Sequence, residues 1–292
     1  MHGHESPGTV GRNADSAPVQ GAIGKNQEVP LASLRPLRSL AALAFAALSL
    51  PAAAAPVSGT ANYIVSLGGI NIAEMAVNLN DDGRRYTMDV SANVAGLGSI
   101  VASGTASAQS AGSSAGASLV SQKFDLTTRA NGEDFSIRVA YAGKNVESFV
   151  VTPPILDNVD RVPIERSQLS GVNDFLASFV LKGKALDKSL CAQKSRIFTG
   201  VERFDIAMAF AKEDVATSQR TGYQGPVILC NVRYTPVSGH FTTSQVTKYL
   251  ADSDRILVWY APMKETGYYI PYRVLLTTTM GDLSMVLTGL KG

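Results

Sequence analysis

Alternation of apolar and polar residues dominates the sequence from about residue 60 onward. In "ANYIVSL" the residues Tyr63, Val65 and Leu67 share one parity, and the pair Gly68-Gly69 separates them from the next alternating run. A period of two residues is typical of a strand with one buried face, and a Gly-Gly pair favours a tight turn. The pattern therefore predicts two short strands joined by a hairpin turn.

The same alternation returns through most of the remaining sequence. Runs such as "EDFSIRVAYAG", "GPVILCNVRYTPV" and "IPYRVLLTTTM" are short, and turn residues separate them at intervals of about ten residues. Such spacing indicates a sandwich, a barrel or a rolled sheet, and it argues against a parallel sheet with crossover helices. The stretch "ASAQSAGSSAGASL" is small and polar, and we expect it to form a long flexible loop. We therefore predict a mainly all-β fold.

One segment, "ERSQLSGVNDFLASFVLKGK", has a helical period instead. Its apolar residues recur at intervals of three and four, and they are Leu169, Val172, Leu176, Phe179 and Val180. This spacing predicts one amphipathic helix near residues 167–182, with its apolar face packed on the sheet. Ser167 or Ser170 could cap its start, and Gly183 fits the position after its end.

The sequence before the alternating part has the pattern of a targeting segment. Residues 35–55 read "RPLRSLAALAFAALSLPAAAA", which places arginines, an apolar run and small residues in the order of a secretory signal peptide. The apolar run is about a dozen residues long, and a membrane-spanning helix needs about 20. We therefore predict a signal peptide at 35–54, cleaved after Ala54, and no transmembrane anchor.

Residues 1–34 are polar and have no periodic apolar face. They have the composition of a disordered leader, or they reflect a translation start assigned too far upstream. Residues 55–292 are enough to bury the core of a single β-rich domain. Export through the signal peptide would place that domain in the periplasm.

The charge balance limits the classes of partner. The sequence has 26 Lys and Arg against 24 Asp and Glu, a formal net charge of +2. This balance gives no support for nucleic acid or anionic lipid as the main partner. The stretch "GLGSIV" from Gly96 lacks the third glycine of a dinucleotide fingerprint, because Val101 occupies that position. We predict no cofactor.

The cysteines are the best-defined chemical feature. The sequence has 2 of them, Cys191 and Cys230. An exported chain folds where disulfides persist, so we predict a disulfide between these two residues. A redox motif is disfavoured because C-x-x-C is absent, and a metal site is disfavoured because His240 adds only one further ligand, without a usual spacing.

A serine motif leaves an enzymatic alternative open. The pentapeptide "GSSAG" matches G-x-S-x-G, with Ser114 as its serine and His240 downstream. The motif functions at a turn between a strand and a helix, whereas here it lies in a run of Ala, Ser and Gly with no helix predicted after it. His240 follows "VSG", which is typical of a turn.

The densest group of aromatic residues lies in "VWYAPMKETGYYIPYRV". Its members surround a predicted turn, and they are Trp259, Tyr260, Tyr268, Tyr269 and Tyr272. Such side chains either pack the end of a rolled sheet or line an apolar groove. We keep the five residues as candidates for ligand binding, with core packing as the alternative.

Taken together, "NYIVSLGGINIAE", "GRRYTMDVSANVAGLGSIV", the mid-chain "PP" and the ending "GDLSMVLTGL" resemble an exported proteobacterial family, catalogued as domain of unknown function 3108. The resemblance implies a periplasmic all-β protein whose strongly curved antiparallel sheet is rolled around a helix or partly closed into a barrel. The family brings no agreed activity and no functional residues.

The leading hypothesis is a non-enzymatic periplasmic envelope protein whose rolled sheet binds a lipid, a lipoprotein segment or a peptide. One alternative is a serine hydrolase that uses Ser114 and His240. Another is a purely structural envelope-integrity factor. The sequence does not address the oligomeric state.

Overall fold

The computed structural model describes residues 55–96, 103–156, 159–278 and 281–292. The predicted leader at 1–34 and the predicted signal peptide at 35–54 lie outside the described residues. So does most of the "GLGSIV" stretch.

Strands make up most of the described chain. They are β1 (Val57–Leu67), β2 (Ile70–Asp81), β3 (Arg85–Val94), β4 (Gly104–Ser113), β5 (Val120–Ala130), β6 (Glu133–Ala142), β7 (Asn145–Thr152), β8 (Leu181–Lys182), β9 (Lys194–Phe198), β10 (Arg203–Ala216), β11 (Gly225–Ser238), β12 (Ile256–Pro262), β13 (Tyr268–Thr278) and β14 (Gly281–Lys291). The α-helices are α1 (Phe175–Phe179) and α2 (Gln245–Asp252), and short 3-10 turns span Arg166–Leu169, Lys188–Cys191 and Lys264–Thr266.

All strands belong to one antiparallel sheet. Its order is β7-β6-β5-β4-β3-β2-β1-β14-β13-β12-β11-β10-β9, and β8 pairs with β13 outside this path. Each strand from β1 to β7, and each from β9 to β14, is therefore paired with its neighbour in sequence. The pairing of β1 with β14 joins these two meanders at the middle of the sheet. The sheet is curled and not closed, with β7 and β9 as its ends, which confirms the predicted fold class.

The predicted hairpin at the start of the alternating part is also confirmed. β1 and β2 pair in antiparallel register up to Leu67 and Ile70. The two connecting residues, Gly68 and Gly69, have φ of 56° and 83°. This left-handed conformation carries little steric cost for glycine, and it matches the twist of the flanking strands.

The prediction of a long flexible loop in "ASAQSAGSSAGASL" was wrong. Most of this stretch belongs to β4, which pairs with β3 on one side and β5 on the other. The small residues permit a close approach of the neighbouring strand: a Cβ at Gly112 would lie 2.0 Å from the carbonyl oxygen of Val120. Because small residues carry almost no apolar signal, the alternation of β4 is invisible in a hydrophobic pattern.

The prediction of one helix over 167–182 was wrong in its extent. The segment forms the 3-10 turn Arg166–Leu169, an extended stretch, the five-residue helix α1 and then strand β8. Gly171 has φ of 68°, which interrupts a right-handed helix. Asp174 caps α1 by accepting a hydrogen bond from the amide of Ala177. The expected caps, Ser167 and Ser170, do not have this role.

The apolar residues that gave the segment its helical spacing are nevertheless buried. One apolar cluster joins residues of β5, β6, β7 and β9 to two residues of this segment. Its buried members are Phe124, Ile137, Val139, Tyr141, Val146, Leu169, Val172 and Phe198. The cluster therefore connects the two ends of the sheet. Within the described ranges, no helix is long and apolar enough to cross a membrane.

Candidate functional site

The two ends of the curled sheet meet along a line that we call the seam. At the seam, the hydroxyl of Tyr141 on β6 donates a 2.9 Å hydrogen bond to the backbone carbonyl of Phe198 on β9. The rings of Phe149 on β7 and Phe198 pack edge to face, with their centroids 5.1 Å apart. Side-chain contacts thus bring the two ends together, because β7 and β9 do not pair in the described chain.

Residues 166–174, which we call the seam segment, fill the remaining gap. The amide of Val172 donates to the carbonyl of Lys144 at 2.7 Å, which ties the segment to the turn before β7. Asn173 donates to the carbonyl of Arg196 at 2.8 Å and accepts from the amide of Phe198 at 3.0 Å, which ties it to β9. The seam segment therefore satisfies backbone groups on both sides of the seam.

A group of buried polar side chains anchors the end of the seam segment. The Asp174 carboxylate accepts hydrogen bonds from the hydroxyl of Ser110 at 2.6 Å, from the hydroxyl of Ser121 and from the amide of Ala177 at 2.9 Å. The Ser110 hydroxyl also shares a 2.8 Å hydrogen bond with that of Tyr86. Burial raises the pKa of Asp174, and the hydrogen bonds only partly oppose this effect.

The seam has an apolar cavity at the end where β7 and β9 finish. This cavity, the apolar cleft, has a volume of about 450 Å³. Its walls come from β7, from the chain that follows β7 and from the turn after β9, and they include Phe149, Val151, Pro154, Val162, Ile164 and Val201. A mainly apolar cleft of this size is typical of sites for small apolar ligands.

Arg161 is the only charged residue among the described residues that line the apolar cleft. Its guanidinium donates to the carbonyl of Val201 at 2.9 Å and lies 4.9 Å from the centroid of the Phe241 ring. These contacts hold the charge at the wall of the cleft, where it can also meet a polar group of a ligand.

The opposite end of the seam, where β7 and β9 begin, holds a second cavity with different chemistry. This basic cavity has a volume of about 120 Å³. Its described lining residues include no Asp or Glu, but they include Lys144, Lys182, Lys194 and Arg196. The seam is therefore apolar at one end and cationic at the other.

The structure does not assemble the catalytic pair of the serine motif. Ser114 is 1% exposed, and its hydroxyl donates to the carboxylate of Asp81, which also accepts from the hydroxyl of Tyr268 at 2.5 Å. The Nδ1 atom of His240 is buried and has no hydrogen-bond partner among the described residues. His240 instead lies beside the apolar cleft, where its carbonyl accepts from the amide of Val162 at 3.0 Å.

The aromatic candidates for ligand binding pack into the protein. The tyrosines of the group are buried, namely Tyr260, Tyr268, Tyr269 and Tyr272. Trp259 is half-buried, and its indole donates to the Asp214 carboxylate at 3.1 Å. None of the five lines the apolar cleft or the basic cavity. Core packing therefore accounts for their positions, and their surroundings give no support for ligand contact.

The predicted disulfide between Cys191 and Cys230 is confirmed. Both residues are fully buried, and their Cα atoms lie 5.4 Å apart. The bridge ties the 3-10 turn Lys188–Cys191 to the middle of β11. Within the part of the chain that the structure describes, no three His, Cys, Asp or Glu residues are grouped so that they could hold a metal ion.

Sequence reasoning missed the seam and both of its cavities. Their residues come from β7, the seam segment and β9, which are distant in sequence and share no motif. One local signal existed, because Lys194 and Arg196 are two residues apart and therefore lie on one face of a strand. Nothing in the pattern indicates that Lys144 and Lys182 join them.

Comparisons with known proteins place the chain in a family. No curated protein matches it. A crystal structure of a β-barrel-like protein of domain of unknown function DUF1849 from Brucella abortus is similar, with a TM-score of 0.45 and 12% identity over 80% of this chain and 97% of that chain. The model of the family described as protein of unknown function (DUF3108) matches residues 62–288. The chain therefore belongs to the DUF3108 family, whose function is unknown.

Proposed function

We propose that this protein is an exported periplasmic envelope protein that acts by binding, and that the apolar cleft holds the acyl chain of a lipid or lipoprotein. The observation that carries the proposal is the apolar cleft itself, about 450 Å³ in volume and open at the end of the seam. Burying an acyl chain there removes apolar surface from water on both partners, at about 0.8 kcal/mol per CH₂ group.

The polar groups at the cleft favour an acyl chain with a polar end. Arg161 lies at the wall of the cleft as the only charge within the described part of its lining, so a carboxyl or ester group near it would gain a hydrogen bond. Pockets for small ligands commonly combine apolar walls with a few polar groups of this kind. A peptide with apolar side chains is the competing occupant.

A fluorescent fatty acid, dansyl-undecanoic acid, tests the binding directly. We expect its fluorescence to rise on mixing with the purified protein and to fall when palmitic acid competes. Val162→Asp places a carboxylate in the cleft wall and should weaken binding by about tenfold or more, because the charge must be desolvated. The matched control is Val246→Asp on α2, where the native side chain is 69% exposed.

Equal binding by Val162→Asp and Val246→Asp, at equal thermal stability, would exclude the apolar cleft as the site. Displacement of the dye by an apolar peptide and not by palmitic acid would favour the peptide. Export is tested separately: mass spectrometry of the protein from the periplasmic fraction should show an N-terminus at Ala55. A protein that retains residues 1–54 in the cytoplasm would contradict this part of the proposal.

A further inference from the structure

The basic cavity concentrates positive charge in a small volume at the start of β7 and β9. Lys194 and Arg196 project from one face of β9, Lys144 comes from the turn before β7, and Lys182 comes from β8. Four basic residues therefore line a cavity of about 120 Å³, with no Asp or Glu among the described lining residues. Charges of one sign around a concave surface reinforce one another and raise the local concentration of counter-ions.

Within the described chain, none of these four side chains forms an ion pair, whereas Lys123, Arg129, Arg203 and Lys212 each pair with an aspartate. The Lys182 ammonium lies near the buried carboxylate of Asp81, which accepts hydrogen bonds from the same two residues that this ammonium contacts, Ser114 and Tyr268. Asp174 follows a lining residue in the chain, but its carboxylate is buried and already accepts three hydrogen bonds from Ser110, Ser121 and Ala177.

Lys182 lines the cavity, but its ammonium is held by residues outside the lining. Its Nζ atom donates a 2.5 Å hydrogen bond to the carbonyl of Ser114 and lies 5.3 Å from the centroid of the Tyr268 ring. The ammonium thus contacts two residues that do not line the cavity, so Lys182 adds positive charge nearby and is not assigned as a donor to the ligand. The side chains of Ser118, Gln193 and Ser195 also line the cavity, and they have no hydrogen-bond partner among the described residues.

Lys144 occupies a backbone conformation that disfavours lysine. Its φ is 67°, in the left-handed region where Gly, Asn and Asp are the usual residues. A lysine there costs backbone energy that an asparagine would reduce. Gly143 and Lys144 are the two central residues of the hairpin turn between β6 and β7, and such a turn takes positive φ at both, so the turn explains the conformation and fixes Lys144 beside the cavity.

The cavity has room for a small oxyanion. A buried water needs about 10–15 Å³ of cavity volume, so about 120 Å³ accommodates such an anion together with several waters.

We propose that the basic cavity binds a phosphate group, either as free inorganic phosphate or as part of a lipid headgroup. Its tetrahedral oxygens can accept hydrogen bonds from lysine and arginine on several sides at once. The proposal does not depend on acyl-chain binding, because the basic cavity and the apolar cleft share no lining residue.

Titration calorimetry with inorganic phosphate at constant ionic strength tests the proposal, since salt screens exposed charges. We expect saturable binding by the native protein. The triple variant Lys144→Asn, Lys194→Gln and Arg196→Gln should bind about tenfold more weakly or worse, because it removes three cationic donors that would face the anion. Lys144→Asn alone should weaken binding without lowering thermal stability, because Asn tolerates a positive φ.

The matched control removes three exposed basic residues that do not line the cavity, with Arg220→Gln, Lys248→Gln and Arg255→Gln. Phosphatidylcholine vesicles with and without phosphatidylglycerol form the second arm. Phosphate binding without vesicle binding identifies the free ion, and vesicle binding that phosphate competes away identifies the headgroup. Absence of saturable binding in both arms, or an equal loss in the control variant, would overturn the proposal. Dansyl-undecanoic acid binding reports separately on the apolar cleft.

Discussion

The hydroxyl of Tyr141 donates a 2.9 Å hydrogen bond to the backbone carbonyl of Phe198, and this bond joins β6 to β9 across the seam. Both residues are buried. Burial raises the pKa of Tyr141, and the nearby Asp174 and Tyr86 raise it further. The hydroxyl therefore keeps its proton and remains a donor throughout the physiological pH range.

Tyr141→Phe should lower the free energy of unfolding by about 1–3 kcal/mol, because it leaves a buried carbonyl without its donor. Urea denaturation measures this loss. Tyr223→Phe is the matched control, because the Tyr223 hydroxyl also donates to a backbone carbonyl, that of Pro226 at 3.0 Å, but at an exposed site where water can replace it. Equal losses in the two variants would contradict a special contribution from the seam.

Asp174→Asn should change how stability depends on pH. The folded-state pKa of Asp174 is raised by burial, so the folded protein binds this proton more tightly than the unfolded chain. The stability that this proton adds is fully present below the unfolded pKa of about 3.9, and it is lost as pH rises through the folded pKa. Relative to Asp174→Asn, the native protein should therefore gain stability on acidification over this window, as urea denaturation at a series of pH values would show.

Asp82→Asn is a control, because the stability contributed by Asp82 should depend on pH in the opposite direction. Hydrogen bonds from the amides of Arg85 and Arg84 lower the pKa of Asp82. This carboxylate contributes stability above its unfolded pKa, and the contribution is lost as pH falls through the folded pKa.

The prediction for Asp174 would be contradicted by parallel curves of stability against pH for the native protein and Asp174→Asn. Such curves would show that Asp174 titrates as it does in the unfolded chain.

Removal of the disulfide with Cys191→Ala and Cys230→Ala should lower the free energy of unfolding by about 3–4 kcal/mol. The cysteines are 39 residues apart, and a crosslink over such a loop restricts the unfolded chain by about that amount. Urea denaturation with and without a reductant measures the loss. The reductant should destabilise the native protein and leave the double variant unchanged. An unchanged native protein under full reduction would argue against the bridge as a stabilising element.

Gly200→Ala should destabilise the protein by about 1–3 kcal/mol more than Gly143→Ala. Gly200 has φ of 95°, and a Cβ there would lie 2.2 Å from Cγ2 of Ile137 in the seam. Gly143 also has positive φ, 57°, but a Cβ there would meet nothing within 4 Å. The difference in thermal unfolding temperature measures the steric clash together with the larger φ of Gly200, since Gly143 already has a positive φ without a clash.

Local alternation was sufficient to predict the strands that have large apolar side chains. The face of β1 that includes Tyr63 is buried, and the turn at Gly68 and Gly69 lies where the glycines predicted it. The pattern failed for β4 because its residues are small. In β4 the backbone of Val120 approaches Gly112 closely, and the hydroxyl of Ser110 is buried. These contacts, and not apolar packing, hold β4 in the sheet.

The helical spacing of Leu169 and Val172 had a different cause from the one predicted. Both side chains fill the gap between the ends of the sheet, and the positive φ of Gly171 between them lets the chain follow the seam. Burial, and not helix formation, explains the pattern. The cavities could not be predicted at all, because their residues become neighbours only when the sheet curls. Tyr141 and Phe198, which meet at the seam, are 57 residues apart.

The pairing of β1 with β14 has a consequence for the order of folding. Thr60 lies opposite Lys291, so the chain must bring together residues separated by 231 positions (291 − 60) to complete the middle of the sheet. Each meander can grow by successive hairpins between neighbours in sequence, which are fast local steps. The junction of the two meanders is the pairing with the longest loop to close, and it cannot form until β14 is available. Until then β1 presents an open edge to solvent, and assembly of the whole sheet depends on the arrival of its last strand.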